Sequence, residues 1–218
     1  MKKKYKLGLV GYGFIGKNHI KAIENLKRYY EIKIIFDQKI SKKDSVKLSK
    51  EIVFKKKFSK KNIPDDLDII VICVPTYLHV KFTKIALTKV KTVISEKPIA
   101  LNLKEAQRVI QNANQKNKEV IVVKQMRMNP INKKIKEAID NNYLNKIHFV
   151  NWNIFLNRSK KYFLGSNWKG NRKLDGGTLF NQISHYIDLL YWFFGDIKVA
   201  KGFQLLENKK LNENSGQV

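Results

Sequence analysis

Three glycines in Gly11-Tyr12-Gly13-Phe14-Ile15-Gly16 stand at the first, third and sixth places of a six-residue stretch. Such spacing suits a loop that holds a dinucleotide. The first glycine permits a tight turn, the second lets backbone approach a pyrophosphate, and the third allows close helix packing. A helix beginning at this point adds a favourable field for the negative charge. Asp37 lies 21 positions beyond Gly16. A carboxylate there accepts from both ribose hydroxyls and repels a 2′-phosphate, so NAD is expected over NADP. The neighbouring Lys39, Lys42 and Lys43 pull the other way, because lysines accommodate a phosphate.

Two further clusters carry polar groups suited to chemistry. Pro75, Thr76 and His79 follow one apolar run, and Glu96-Lys97-Pro98 follows another. Lys97 suits a general acid or base, its proton affinity lowered by burial among cations or raised by Glu96. With 39 lysines beside five arginines in 218 residues, a lysine at any chosen place is common, and only its position before Pro98 singles it out. Farther on, Asn181 and His185 are four apart, with Asp188 three beyond. On a helix these share a stripe. An imidazole beside an amide can bond a substrate hydroxyl and help move its proton; an ordinary core histidine is the competing reading. His19, His79 and His148 have no metal-ligand spacing, so no metal is expected.

The elements that must position these residues are legible as an alternation. Tyr5 to Val10, Ile32 to Phe36, Asp68 to Val74, Thr92 to Ser95 and Val120 to Val123 have strand length and are rich in Val and Ile. Between them, Phe14 to Arg28, Ser41 to Lys50, Leu78 to Val90 and Asn102 to Asn114 carry apolar residues at helical spacing. Strands alternating with helices predict an α/β fold, a doubly wound parallel sheet of Rossmann type covered on both faces. The glycine loop then joins the first strand to the first helix, and the Pro75 and Glu96 clusters fall at the carboxyl edge, where such sheets bind ligands.

The rhythm changes near Lys124, giving a dinucleotide-binding domain over 1–124 and a second, α+β substrate domain over 125–218. Asn129-Pro130 opens a helix, Lys146 to Leu156 alternates like a strand, Thr178 to Phe194 reads as a helix, and Ile197 to Leu205 as a strand. Glu207 to Val218 is polar and expected to fray.

Composition excludes several classes. The formal charge of +26 comes from lysines scattered along the chain, unlike the arginine-rich face of a specific nucleic-acid site, so non-specific attraction to polyanions is the expectation. No apolar run reaches the length of a membrane span. Lys2-Lys3-Lys4 before an apolar stretch imitates a signal peptide, but Lys6 and the glycines interrupt that stretch. The single cysteine, Cys73, reads as a small buried hydrophobe and favours a reducing, cytoplasmic location.

Together these markers resemble the Gfo/Idh/MocA family of oxidoreductases: the glycine loop with His19 behind it, Pro75 to His79, Glu96-Lys97-Pro98, Arg127-Met128-Asn129-Pro130, and the helix with His185 and Asp188. The resemblance implies a dehydrogenase in which Lys97 assists proton removal from a sugar or cyclitol hydroxyl while hydride passes to the nicotinamide. It implies cofactor contacts at Gly11, Gly13, Phe14, Ile15, Gly16, Asp37, Pro75, Thr76, His79, Glu96 and Lys97, and substrate contacts at Arg127, Asn181 and His185. Many members have an aspartate and a glycine where this chain has Asn181 and Ile183. The string Trp168-Lys169-Gly170, Leu174-Asp175-Gly176-Gly177, Asn181-Gln182 and Ser184-His185 is similar to the branch that oxidises C3 of UDP-linked N-acetyl-amino sugars or their uronic acids, for surface polysaccharide synthesis. Other sugars or cyclitols such as inositol are the alternative, as is a non-catalytic dinucleotide-binding remnant. Family members continue past the equivalent of Leu206 with more strands. The resemblance therefore implies an incomplete substrate domain, covered in a homo-oligomer or by a complementing chain.

Overall fold

A computed structural model of the chain describes residues 3–39 and 51–203. Two compact units divide it, Met1–Val123 and Lys124–Val218.

In the first unit, β1 (Tyr5–Val10), α1 (Phe14–Asn25), β2 (Tyr30–Phe36), β3 (Val53–Lys55), β4 (Ile69–Ile72), α2 (His79–Ala86), β5 (Thr92–Ser95), α3 (Leu103–Gln115) and β6 (Glu119–Val122) follow in order. The strands form one parallel sheet ordered β3-β2-β1-β4-β5-β6. This is the doubly wound arrangement, and its strand order reverses beside β1, where a crevice opens at the carboxyl edge.

Alternation along the strands builds two cores. Val10, Ile34, Ile70, Ile72 and Val93 face one side with Ala86, Leu87 and Ala113. Leu7, Leu9, Ile35 and Val71 face the other with Ile20 of α1. A side-chain period of two, with both faces buried, explains why these strands read as continuous apolar runs. Helix α3 starts at Asn102, whose Oδ1 accepts from Glu105 N at 2.9 Å while its Nδ2 donates to Glu105 Oε2 at 2.9 Å. That reciprocal pair satisfies an otherwise orphaned N–H of the first turn.

The strand spacing leaves no slack at the glycine turn. Gly11 has φ +95°, and a Cβ there would lie 2.4 Å from the Cys73 carbonyl oxygen. A Cβ on Gly16 would lie 2.0 Å from Gly11 O. Backbone, not a movable side chain, occupies both places.

The second unit carries α4 (Pro130–Asp140), helical turns at Lys160–Phe163 and Arg172–Asp175, a wide π turn Leu179–Ile183, and α5 (Ser184–Phe194). Asn129 caps α4 by accepting from Ile131 N, and Pro130 occupies its first turn, where a missing N–H costs nothing. The strand expected over Lys146 to Leu156 is not present; the segment runs as irregular chain. A strand needs a hydrogen-bonded neighbour, and among the described residues none lies beside it. Its alternation still acts through packing, because Trp152 sits 6.2 Å from the ring of Tyr186 and 6.1 Å from that of Phe193. Residues 197–203 of the last expected strand are likewise irregular. The expected helix Ser41 to Lys50 and the expected frayed end Glu207 to Val218 lie outside the described residues.

The crowding at Gly11 generates a direct expectation. Gly11→Ala lowers the unfolding free energy by about 2 kcal/mol, from a strained φ and a clash with fixed backbone. Urea titration followed by far-ultraviolet circular dichroism checks it, and an unmoved midpoint contradicts it.

Candidate functional site

The ends of four strands share one level. Val10 pairs with Phe36 and with Ile72, and Ile72 with Ser95. The residues that follow, Gly11, Asp37, Cys73 and Glu96, therefore stand side by side along the carboxyl edge. The cofactor residues expected in this unit, from Gly11 to Lys97, lie in the turns at this edge or in the first turn of the helices that follow them, Phe14, Ile15 and Gly16 in α1 and His79 in α2.

Hydrogen bonds lock the turn. Gly11 N donates to Phe36 O at 2.8 Å, and Cys73 N to Val10 O at 2.7 Å. The Asp37 carboxylate accepts from Tyr12 N at 2.7 Å and from Lys39 N at 2.6 Å. Asp37 thus ties the glycine loop to the end of β2, a structural duty that the spacing to Gly16 did not disclose. Each of its oxygens retains a further lone pair for a ribose hydroxyl.

Against these crowded glycines, Gly13 is open. A Cβ built there meets nothing within 4 Å, and no side chain caps the N-terminus of α1. An uncapped first turn leaves N–H groups and the positive end of the helix facing that space, which is the environment a pyrophosphate requires. The residues present therefore fit a dinucleotide, with Gly11 and Gly16 shaping the cradle and Gly13 admitting the phosphates.

Across the edge, His19 of α1 meets Glu96, with Nε2 2.9 Å from Oε1. Burial alone would raise the Glu96 carboxyl; the His19 bond and charge, with the Lys97 backbone N–H and ammonium, outweigh it and hold the group below the ordinary carboxylate range. The helix that starts at the glycine loop is thereby fastened to the residue preceding Lys97. His19 was legible only as a family marker, since nothing in its spacing indicates a partner 77 positions away. His79 is buried, with Nδ1 2.6 Å from Pro98 O and Nε2 2.8 Å from Val74 O. Thr76 is buried beside it in the chain, and Pro75 caps the intervening turn. Burial, then the Glu96 charge, pushes the Cys73 thiol well above its ordinary value, which disfavours the thiolate.

Within the second unit, Arg127 does not present a free guanidinium. Its Nε and Nη2 donate to Asp188 Oδ2 and Oδ1 at 2.8 and 2.7 Å, and Lys124 Nζ lies 3.5 Å from Oδ1. Burial would raise the Asp188 carboxyl, but these cations lower it on balance. Asn181 lines a small pocket with Tyr162, Asp175, Thr178 and Gln182. Asp175, buried, shapes that pocket by accepting from Gly170 N at 2.6 Å and Gly177 N at 2.7 Å. Asn181 falls in the π turn and His185 in the first turn of α5. Sequence periodicity assumes 3.6 residues per turn throughout, so it could not show that the helix is wound wider just before His185. Among the described residues no group of three His, Cys, Asp or Glu is placed to hold a metal ion, and no helix is long and apolar enough to cross a membrane.

Residues 5–124 match an oxidoreductase family with an NAD-binding Rossmann fold, and residues 136–215 match that family's C-terminal alpha/beta domain. The chain belongs to the Gfo/Idh/MocA oxidoreductase family. Among its curated relatives, oxidoreductase P35 of Formosa agariphila is 28% identical over 158 residues, which is 71% of this chain and 49% of that protein. The chain thus spans about half the length of this relative. A WlbA dehydrogenase of Chromobacterium violaceum, solved with NADH and UDP-GlcNAcA, overlays with TM-score 0.83 at 28% identity, over 89% of this chain and 56% of that one. The WlbA dehydrogenase of Bordetella pertussis, solved with the same two molecules, gives 0.82 at 30% identity, over 88% of this chain and 59% of that one. In this family member the glycine loop, Asp37 and the Glu96-Lys97 loop therefore belong to an NAD-binding Rossmann domain.

Two outcomes follow from this geometry. Gly13→Ala, whose methyl meets no protein atom, leaves stability unchanged but weakens NAD binding about tenfold or more by filling the phosphate space; calorimetric titration beside a thermal melt checks both halves. For the Asp188 cluster, a carboxyl depressed in the folded state adds stability that is present above its unfolded pKa and lost as pH falls through its folded one. Asp188→Asn should therefore cost about 1–2 kcal/mol at neutral pH, a difference that vanishes on acidification. Tryptophan fluorescence in urea reads it, since all three tryptophans (Trp152, Trp168 and Trp192) lie in this unit.

Proposed function

We propose that this chain oxidises a sugar hydroxyl, C3 of a UDP-linked N-acetyl-amino sugar or of its uronic acid, in surface polysaccharide synthesis. The observation that carries the reading is the placement of Lys97. It follows β5 at the same edge as the open Gly13 cradle, and its neighbour Glu96 is tied to α1 by His19. Bound NAD supplies the hydride acceptor. Lys97 takes the proton of the hydroxyl that becomes a ketone, a positioned acid–base role worth about 10²–10⁴-fold. Within the second unit, His185 and Asn181 offer hydrogen bonds to sugar hydroxyls, and Arg127, held bidentately by Asp188, fixes the segment before α4.

Three facts support the substrate class. The two WlbA dehydrogenases were solved with UDP-GlcNAcA. Thr178, Asn181 and Gln182 stand together in the second unit with side chains of the kind that hydrogen-bond sugars, and Lys169 lies 4.3 Å over the nearby Tyr162 ring. The charge of +26 raises the local concentration of an anionic nucleotide sugar. A reducing, cytoplasmic setting suits the lone Cys73 and a nucleotide-sugar supply.

The test is to incubate the chain with NAD and UDP-GlcNAcA and follow absorbance of the reduced cofactor. The expected result is turnover that falls about 10³-fold in Lys97→Ala while NAD affinity stays within about threefold. NAD binding without turnover of UDP-GlcNAcA or UDP-N-acetylglucosamine overturns the substrate reading, and unchanged turnover in Lys97→Ala overturns the role of Lys97.

A further inference from the structure

His79 is the first residue of α2, and its side chain is only 2% exposed. Both ring nitrogens end on backbone carbonyls: Nδ1 at Pro98 O, 2.6 Å, and Nε2 at Val74 O, 2.8 Å. Val74 belongs to the loop leaving β4, and Pro98 directly follows Lys97. One imidazole therefore lies between the two neighbouring loops of the carboxyl edge, donating to one of the two carbonyls when neutral and to both only when protonated.

The consequence for Lys97 is local. Upstream, Glu96 N donates to Ile72 O at 3.0 Å, continuing the sheet ladder one residue past β5. At Lys97 itself the backbone N lies 3.3 Å from Glu96 Oε2. Downstream, the Pro98 carbonyl meets the His79 ring. The Lys97 backbone is thus held between the sheet on one side and the imidazole on the other. A buried ring with both nitrogens engaged has no atom left for a ligand.

We infer that His79 is a positioning residue that fixes the Lys97 loop through the Pro98 and Val74 carbonyls, rather than a contact to the cofactor. The importance of Lys97 in this inference rests on the dehydrogenase reading above. The clamp itself does not, and its test is chosen to separate the two. Removing the imidazole leaves the carbonyl that accepts from it without its donor, takes away the ring between the two loops and lets the β4 and β5 loops separate.

The experiment is site-resolved acetylation of the full chain by acetic anhydride, read by peptide mass spectrometry at Lys97 with the exposed Lys134 as internal reference, in wild type, His79→Leu and His79→Gln. His79→Leu is expected to raise the Lys97 rate relative to Lys134 roughly threefold or more, because local opening governs access to a half-buried group. His79→Gln, which keeps one N–H donor of similar reach, is expected to fall between that and wild type. NAD affinity by calorimetry should change less than about threefold, because the Gly11 to Gly16 cradle is untouched. If UDP-GlcNAcA is turned over, kcat falls about tenfold or more with KM little changed, as for a displaced catalytic group.

A Lys97 rate in His79→Leu equal to wild type overturns the inference. So does NAD affinity that drops as far as turnover, which would make His79 a ligand contact. Should His79→Leu fail to fold, His79→Gln decides: a Lys97 rate above wild type supports the clamp, and an equal rate overturns it. A chain that oxidises no sugar fails the dehydrogenase reading and leaves the acetylation result standing.

Discussion

Everything at the carboxyl edge depends on how closely the turn after β1 approaches the first residue after β4. The place a Gly11 Cβ would take lies 2.4 Å from Cys73 O, and the one for Gly16 lies 2.0 Å from Gly11 O. Two successive close backbone approaches bring the N-terminus of α1 down onto the strand ends. The remaining glycine of the loop, Gly13, is then left facing open space. The same three residues thus serve opposite needs, two because there is no room for a side chain and one because the room belongs to something else.

Around that turn, a small set of polar groups keeps the loops in register with the sheet. Asp37 receives two backbone N–H groups and joins β2 to the glycine loop. The His19 and Glu96 pair joins α1 to the end of β5. His79 joins the loops of β4 and β5. Each connection runs between segments far apart in sequence, and each has at least one partner in the backbone or in a half-buried carboxylate. Half-buried polar contacts of this kind are stronger than exposed ones, because less water competes for the donors. The rigidity that the proposed role of Lys97 needs comes from these ties rather than from the loops themselves, which are short and irregular.

The fold of the first unit was readable because it rests on local rules. Apolar runs with both faces buried, glycines at a strand-to-helix turn and an Asn102–Glu105 cap each announce themselves within a few residues. β3 escaped notice, being three residues long, and β4 ends at Ile72 rather than Val74 because the chain turns toward Pro75. In the site, the types and places of Gly13, Asp37 and Lys97 were legible, whereas their partners were not. That Asp37 pins Tyr12, that Glu96 meets His19, and that Arg127 is bound bidentately by Asp188 are facts of tertiary approach. The second unit was harder for a related reason. Lys146 to Leu156 has the alternation of a strand, but alternation records only which side packs. Whether a ladder forms depends on a neighbour that the segment does not itself encode. The π turn before His185 is invisible for a similar cause, since the residues that fill it are ordinary helix residues.

The central claim is that the space at Gly13 receives the paired phosphates of a nicotinamide dinucleotide. A crystal structure of the chain grown with NAD tests it most directly. The account predicts density for the pyrophosphate against the backbone N–H groups of residues 13–15, with a ribose hydroxyl on Asp37. Density for the dinucleotide elsewhere, or a cradle closed over Gly13 at saturating NAD, would contradict it.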